Sequence, residues 1–147
     1  MPDVAAGPHE TLLAFDYGLK KIGVAIGNTL TRQARPLQIL RPVTREQRFT
    51  AIGNLFDEWQ PDRVVVGLPL TTDGGEQHAT RHCRRFANQL HGRYGVAVEL
   101  VDERGTSMEA QHLLGNNDDD DALAAALILQ RYFDTLGMGA IPPPSGV

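Results

Sequence analysis

Three carboxylates stand out because each sits where an apolar segment ends or begins. Asp16 closes the run Leu12-Leu13-Ala14-Phe15, Glu103 comes two residues after Val101 at the end of a second apolar run, and Asp121 opens a long Ala- and Leu-rich stretch. Hard oxygen donors of this kind suit Mg²⁺ or Mn²⁺, which are held by one or two carboxylates together with water and substrate phosphate. A set of carboxylates holding such ions can serve phosphodiester hydrolysis, with one ion acidifying water and another stabilising the leaving oxygen. Each residue also has a structural reading. Asp-Tyr-Gly after a strand forms turns, Asp is a favoured helix N-cap, and Glu103 beside Arg104 can form a surface ion pair. Spacing alone leaves both readings open.

The elements that must position them can be read from periodicity. Residues 11–15 are a short apolar run, and Ile22, Val24 and Ile26 alternate with Gly23, Ala25 and Gly27, which predicts two paired strands joined by a turn over 17–21. Residues 37–40 add a third strand after a polar, Pro-containing connection, giving an antiparallel meander. The period then changes. Thr44 with Gln47 forms a capping box, and Phe49, Ile52, Phe56 and Trp59 follow at helical spacing until Pro61. Residues 63–67 are a Val-rich strand of the doubly buried kind. Ala79, Cys83, Phe86, Ala87 and Leu90 mark one helix face closed by Gly92, 96–101 reads as a strand, Thr106 with Glu109 caps a short helix, and 122–133 is an apolar final helix. Strands that meander and then alternate with helices predict an α/β fold: a mixed five-stranded sheet, antiparallel first and parallel later, with helices on both faces. Ligands of such sheets collect at the carboxyl ends of strands, where Asp16 and Glu103 fall.

Charge is unevenly distributed. The chain of 147 residues carries a net charge of −4, yet seven of its fourteen Lys and Arg residues (Lys20, Lys21, Arg32, Arg35, Arg41, Arg45, Arg48) lie within 20–48, where Glu46 is the only acid. That segment could face phosphates. Residues 102–121 contain seven acids and one base, Arg104, and would repel phosphates unless cations intervene. Lys20, Lys21 and Arg104 are therefore candidate nucleic-acid contacts, although Lys and Arg at turns are commonly just solvated.

The length and 41% apolar content fit one domain, expected over 11–136, with loose ends at 1–10 and 137–147. No run of about 18 apolar residues and no basic, apolar leader is present, which predicts a cytoplasmic protein without a membrane segment. The single Cys83 excludes an internal disulfide and reads as a small core residue. His78 and His82 lack a third partner for zinc. No G-x-x-x-x-G-K-[ST] or G-x-G-x-x-G pattern occurs.

The order of motifs carries a resemblance. Leu13-Ala14-Phe15-Asp16-Tyr17-Gly18-Leu19-Lys20-Lys21-Ile22-Gly23-Val24-Ala25 is followed by Arg35-Pro36-Leu37, Glu58-Trp59-Gln60-Pro61-Asp62, Val65-Val66-Gly67-Leu68-Pro69-Leu70 with Asp73-Gly74, Phe86-Ala87-Asn88, Asp102-Glu103-Arg104, and Asp121 with Ala124 and Ala125. Through most of its length the chain thus resembles the YqgF (RuvX) family, pre-16S rRNA nucleases related to Holliday-junction resolvases. The resemblance implies an RNase H-like fold and a metal-dependent nuclease acting on structured nucleic acid. In that reading Asp16, Glu103 and Asp121 are catalytic and metal-binding, with Mg²⁺ or Mn²⁺ as cofactor. Processing of the 5′ end of pre-16S rRNA in ribosome biogenesis is the implied task, with branched DNA an alternative substrate. The working unit would be a monomer or homodimer.

Departures from the family pattern also have consequences. Residues 111–120 form a shorter loop than the family carries, without its Lys and with Asp118, Asp119 and Asp120 added, which weakens phosphate affinity. Asp118 stands three residues before Asp121, a spacing that could add a ligand, though a solvated acidic loop is the simpler reading. Gly105 and Thr71 differ from the family's usual Leu and Asn. The short loop keeps alive a second reading, a non-catalytic RNA-binding or ribosome-assembly domain. Phosphoryl transfer on a nucleotide, suggested by the likeness of Asp16-Tyr17-Gly18 to the turn of actin-like ATPases, would need a second such domain for which this chain has no room.

Overall fold

The structure, a computed structural model, describes residues 9–18, 20–68, 78–102 and 120–140. In chain order the elements are β1 (Thr11–Tyr17), β2 (Ile22–Asn28), β3 (Ala34–Leu40), α1 (Arg45–Trp59), β4 (Arg63–Leu68), α2 (His78–Tyr94), β5 (Ala97–Asp102) and α3 (Asp120–Ala140). They build one five-stranded sheet in the order β3-β2-β1-β4-β5. β1, β2 and β3 pair antiparallel, whereas β4 joins β1 and β5 joins β4 in parallel. The mixed sheet expected from the sequence is therefore present, with a single strand between β1 and β5.

Strand alternation sorts the core into two layers. Leu13, Phe15, Val24, Ile26, Val64 and Val66 face α1 and α2, where Phe49, Ile52, Leu55, Cys83, Phe86 and Leu90 meet them. Leu12, Ala14, Ala25, Val65 and Val101 face α3, which contributes Ala125, Ala126, Ile128, Leu129 and Phe133. β2 presents Gly23, Ala25 and Gly27 on the α3 side, and these small residues let the helix approach closely. At Gly27 a Cβ would stand 2.8 Å from Phe133 Cε2 and 2.7 Å from the Gln33 carbonyl oxygen, so only glycine fits. Gln130 fixes the same seam, accepting from the Ala34 N–H at 3.1 Å and donating to the Arg32 carbonyl at 3.0 Å.

Local chemistry explains the element ends. Thr44 accepts from the Gln47 N–H while the Gln47 side chain accepts from Thr44 N–H, closing the capping box that starts α1. Gln60, with φ +46°, ends the helix by donating its N–H to the Phe56 carbonyl. Three boundaries and one buried position differ from the sequence expectation. α3 spans Asp120–Ala140, beyond the expected 122–133 and through residues 137–140, expected as part of a loose end, because Gly137 and Gly139 can be carried inside a helix whose apolar face is already packed. β3 begins at Ala34, because Pro36 is tolerated on this edge strand at a register shift where Ala25 pairs with Pro36 and Val24 with Gln38. α2 passes through Gly92 and stops at Gly95, whose φ of +67° and N–H bond to the His91 carbonyl make it the left-handed terminator. Thr80 rather than Ala79 is the buried residue of the first turn of α2. The short helix expected at Thr106 lies outside the described residues.

Candidate functional site

Asp16 is the penultimate residue of β1, half-buried, and pairs with Gly23 across the β1–β2 ladder. Its neighbours Phe15 and Tyr17 belong to the α1/α2 layer and Ala14 to the α3 layer, so by alternation Asp16 belongs to the sheet face that carries α3. Gly18, at the start of the following turn, could not bear a Cβ: it would meet the Lys21 carbonyl oxygen at 2.7 Å. The tight turn puts Lys20, exposed, and Lys21, half-buried, at the same end of the sheet as Asp16.

α3 runs back across this face. Phe133 sits against Gly27, the residue opposite Leu12 at the start of β1, and Ala125 and Ala126 lie in the layer with Ala14 and Ala25. The first turn of α3, which contains Asp121, therefore lies toward the end of β1 that bears Asp16. β5 ends at Asp102, level with Leu68 of β4, and the Asp102 carbonyl accepts from Arg131 Nη1 of α3 at 2.6 Å. Val101 belongs to the α3 layer, and Glu99 of β5 lies near Tyr132 of α3. Glu103 and Arg104 lie outside the described residues, and Asp121 is described through its helical backbone. Among the described residues no three His, Cys, Asp or Glu side chains form a metal-binding group.

The opposite end of the sheet is tied by hydrogen bonds and ion pairs. Arg63 at the start of β4 donates to Glu10 at 3.0 Å and to Glu99 at 2.8 Å. The hydrogen bond to Glu10, its strongest influence, raises the guanidinium pKa further above its ordinary value. Burial pushes the Tyr132 hydroxyl pKa up, and burial likewise raises that of Tyr94, whose hydroxyl donates to the Phe49 carbonyl at 3.1 Å. Arg32 and Arg35 also fall at this far end, beside the β2–β3 turn, so the basic segment 20–48 does not act as one surface. Its remaining members divide from them: Lys20, Lys21 and Arg41 flank the ends of strands near Asp16, and Arg48 lies over the Tyr17 ring at 5.3 Å.

Sequence reasoning missed an aromatic and cationic assembly behind Asp16. Tyr17 stacks on Phe86 with ring centroids 4.3 Å apart, Phe86 meets Phe15 edge-on at 5.7 Å, and Arg48 covers the outer face of Tyr17. At the start of α1, Arg45 lies 5.9 Å from the centre of the Phe49 ring, and Arg93 from the end of α2 lies 3.9 Å from it. These contacts join residues far apart in the chain, so no local pattern announces them.

An α/β sheet in this order, with a carboxylate at the end of its central strand, has the architecture of RNase H-like resolvases. The fold is shared with Thermus thermophilus RuvC solved with a Holliday-junction substrate (TM-score 0.56, 16% identity, covering 88% of this chain and 96% of that one). It is shared also with the fowlpox virus Holliday junction resolvase (TM-score 0.54, 12% identity, covering 85% and 99%). The chain belongs to the RuvX family, described as Holliday junction resolvase, which matches residues 10–135. Among its relatives is a Bordetella petrii protein named "Putative pre-16S rRNA nuclease", 72% identical over 88% of this chain and 98% of its own length. A Paraburkholderia phytofirmans protein of the same name is 53% identical over 89% and 92%. Family membership and these relatives make this chain a nuclease. No helix among the described residues is long and apolar enough to cross a membrane.

Proposed function

We propose that residues 11–136 form a single metal-dependent nuclease domain that hydrolyses phosphodiester bonds of structured RNA, with the 5′ end of pre-16S rRNA as substrate. Asp16, Glu103 and Asp121 are its catalytic carboxylates. The observation that carries this reading is the convergence of elements: Asp16 belongs to the face that α3 covers, and the first turn of α3 lies toward the same end. The reading requires the Glu103 carboxylate, two residues on from Val101, to arrive on that face as well. An all-carboxylate donor set at a strand end fits a hard divalent ion, and these three residues would hold Mg²⁺ or Mn²⁺. Such ions supply Lewis acidity toward the phosphoryl group and lower the pKa of water. The chain's own contribution is positional. The Gly18 turn brings Lys20 and Lys21 beside Asp16 to receive backbone phosphates, with Arg104 as a further contact.

The test is incubation of the purified chain with a 5′-extended 16S precursor fragment and Mn²⁺, beside a four-way DNA junction and an Asp16→Asn variant. Cleavage of the RNA that disappears in the variant is the expected result. Preferential cutting of the junction would replace the RNA assignment, and RNA binding without any cleavage would favour an assembly role.

A further inference from the structure

We propose that the surface formed by the start of α1 and by α2, on the side of the sheet opposite α3, is a docking track for the phosphate backbone of the RNA, which reaches it from Asp16 around the strand ends at Tyr17. The inference rests on the nuclease reading and extends it to where the strand lies beyond the carboxylates. Its first support is segregated charge. In a chain with net charge −4, the 17 residues of α2 include Arg81, Arg84, Arg85, Arg93 and three His but no acid. Cys83, Phe86, Ala87 and Leu90 bury one side of the helix, leaving Arg81, Arg84 and Arg85 exposed on the other. A stripe of one sign on a protein of the opposite net sign is an electrostatic footprint for a polyanion.

The second support is how the arginines nearest the site are held. Arg48 sits over Tyr17, the residue after Asp16, with its guanidinium carbon 5.3 Å from the ring centre. One turn earlier on α1, Arg45 shares the Phe49 ring with Arg93 of α2, so the two guanidinium centres are within about 10 Å. Together they line a shallow cleft of about 730 Å³ with Glu46, Phe49, Thr50 and Tyr94. An aromatic ring occupies the face of a guanidinium and directs its N–H edge elsewhere, the arrangement that suits phosphate oxygens. Among the described residues Glu46 is the one acid in the cleft, outnumbered by the two arginines. The positive N-terminal end of α1 adds to the same potential. A second copy of this chain is a poorer occupant, because two faces of like charge repel.

Binding is measured in the full chain carrying Asp16→Asn, so that no turnover is needed. The probe is a fluorescein-labelled stem-loop RNA with a single-stranded 5′ extension, followed by anisotropy over a range of KCl. Arg81→Glu with Arg85→Glu, both exposed and therefore safe for folding, should raise Kd at least about tenfold near physiological salt. The slope of log K against log salt should shrink by about 1.4 to 1.8 for two lost phosphate contacts. Arg45→Gln should remove about half of that slope change. Arg35→Glu, at the far end of the sheet, changes charge without touching the track and should leave the slope unaltered. An equal effect from Arg35→Glu, an unchanged slope in the α2 variant, or a change in oligomeric state in place of one in RNA affinity would overturn the track. If the unsubstituted chain cuts no RNA while the α2 variant still loses affinity, the nuclease reading falls and the track stands.

Discussion

Replacing Gly27 with Ala tests how α3 is seated, and through it where Asp121 is delivered. The added methyl would stand 2.7 Å from the Gln33 carbonyl oxygen and 2.8 Å from Phe133 Cε2, with Cζ at 3.1 Å. The ring can swing, but the carbonyl is backbone of the chain entering β3, so helix and hairpin must separate. Overpacking of this kind costs about 1–3 kcal/mol. Ala lowers the entropy of the unfolded chain relative to Gly, an opposing gain of about 0.4–1 kcal/mol. Packing wins, leaving a net loss of about 1.5 kcal/mol, or about 3–6 °C in Tm at roughly 2–4 °C per kcal/mol for a chain this size. Urea titration should show a lower midpoint with an unchanged m-value. Combining Gly27→Ala with Phe133→Leu should cost less than the two changes added separately, by at least about 0.5 kcal/mol, because the leucine vacates part of the contested space. A displaced α3 should also lower the cleavage rate. A Gly27→Ala protein as stable as the parent, or strictly additive with Phe133→Leu, would refute the argument.

Thr44→Ala should cost about 1 kcal/mol, since it removes the hydroxyl that accepts from Gln47 N–H at the start of α1, and circular dichroism melts would read it. Tyr94 and Tyr132, whose pKa values burial raises above that of the unfolded chain, contribute to the loss of stability at alkaline pH. In the window between the unfolded and folded values the unfolded state holds fewer protons, so stability present below about pH 10 is lost as pH rises through it. The Tyr94→Phe, Tyr132→Phe chain should lose stability less steeply there, and an identical pH profile would contradict the assignment.

What the sequence disclosed and what it withheld follow from the range of the interactions. The Thr44–Gln47 capping box, the alternation of Ile22, Val24 and Ile26, and the Val64–Val66 run are local signals, and each corresponds to an observed element. Gly92 and Gly95 look alike in sequence, and only the left-handed backbone at Gly95 shows where α2 ends. The start of β3 was hidden by Pro36, whose place on an edge strand is a tertiary fact. For the same reason the basic segment 20–48 read as one surface, although the β2–β3 hairpin carries Arg32 and Arg35 to the far end. The position of Asp16 at a strand end was legible. The partnership of Arg48, Tyr17 and Phe86 was not, since it spans three elements.

The most direct measurement is Mn²⁺ binding by isothermal titration to the parent chain and to Asp16→Asn, Glu103→Gln and Asp121→Asn, each checked for an unchanged fold by circular dichroism. If the three carboxylates share a cation, each substitution should weaken binding by at least about tenfold and pairs should be strongly non-additive. Full Mn²⁺ affinity retained in the Glu103→Gln or Asp121→Asn protein would contradict the proposed site.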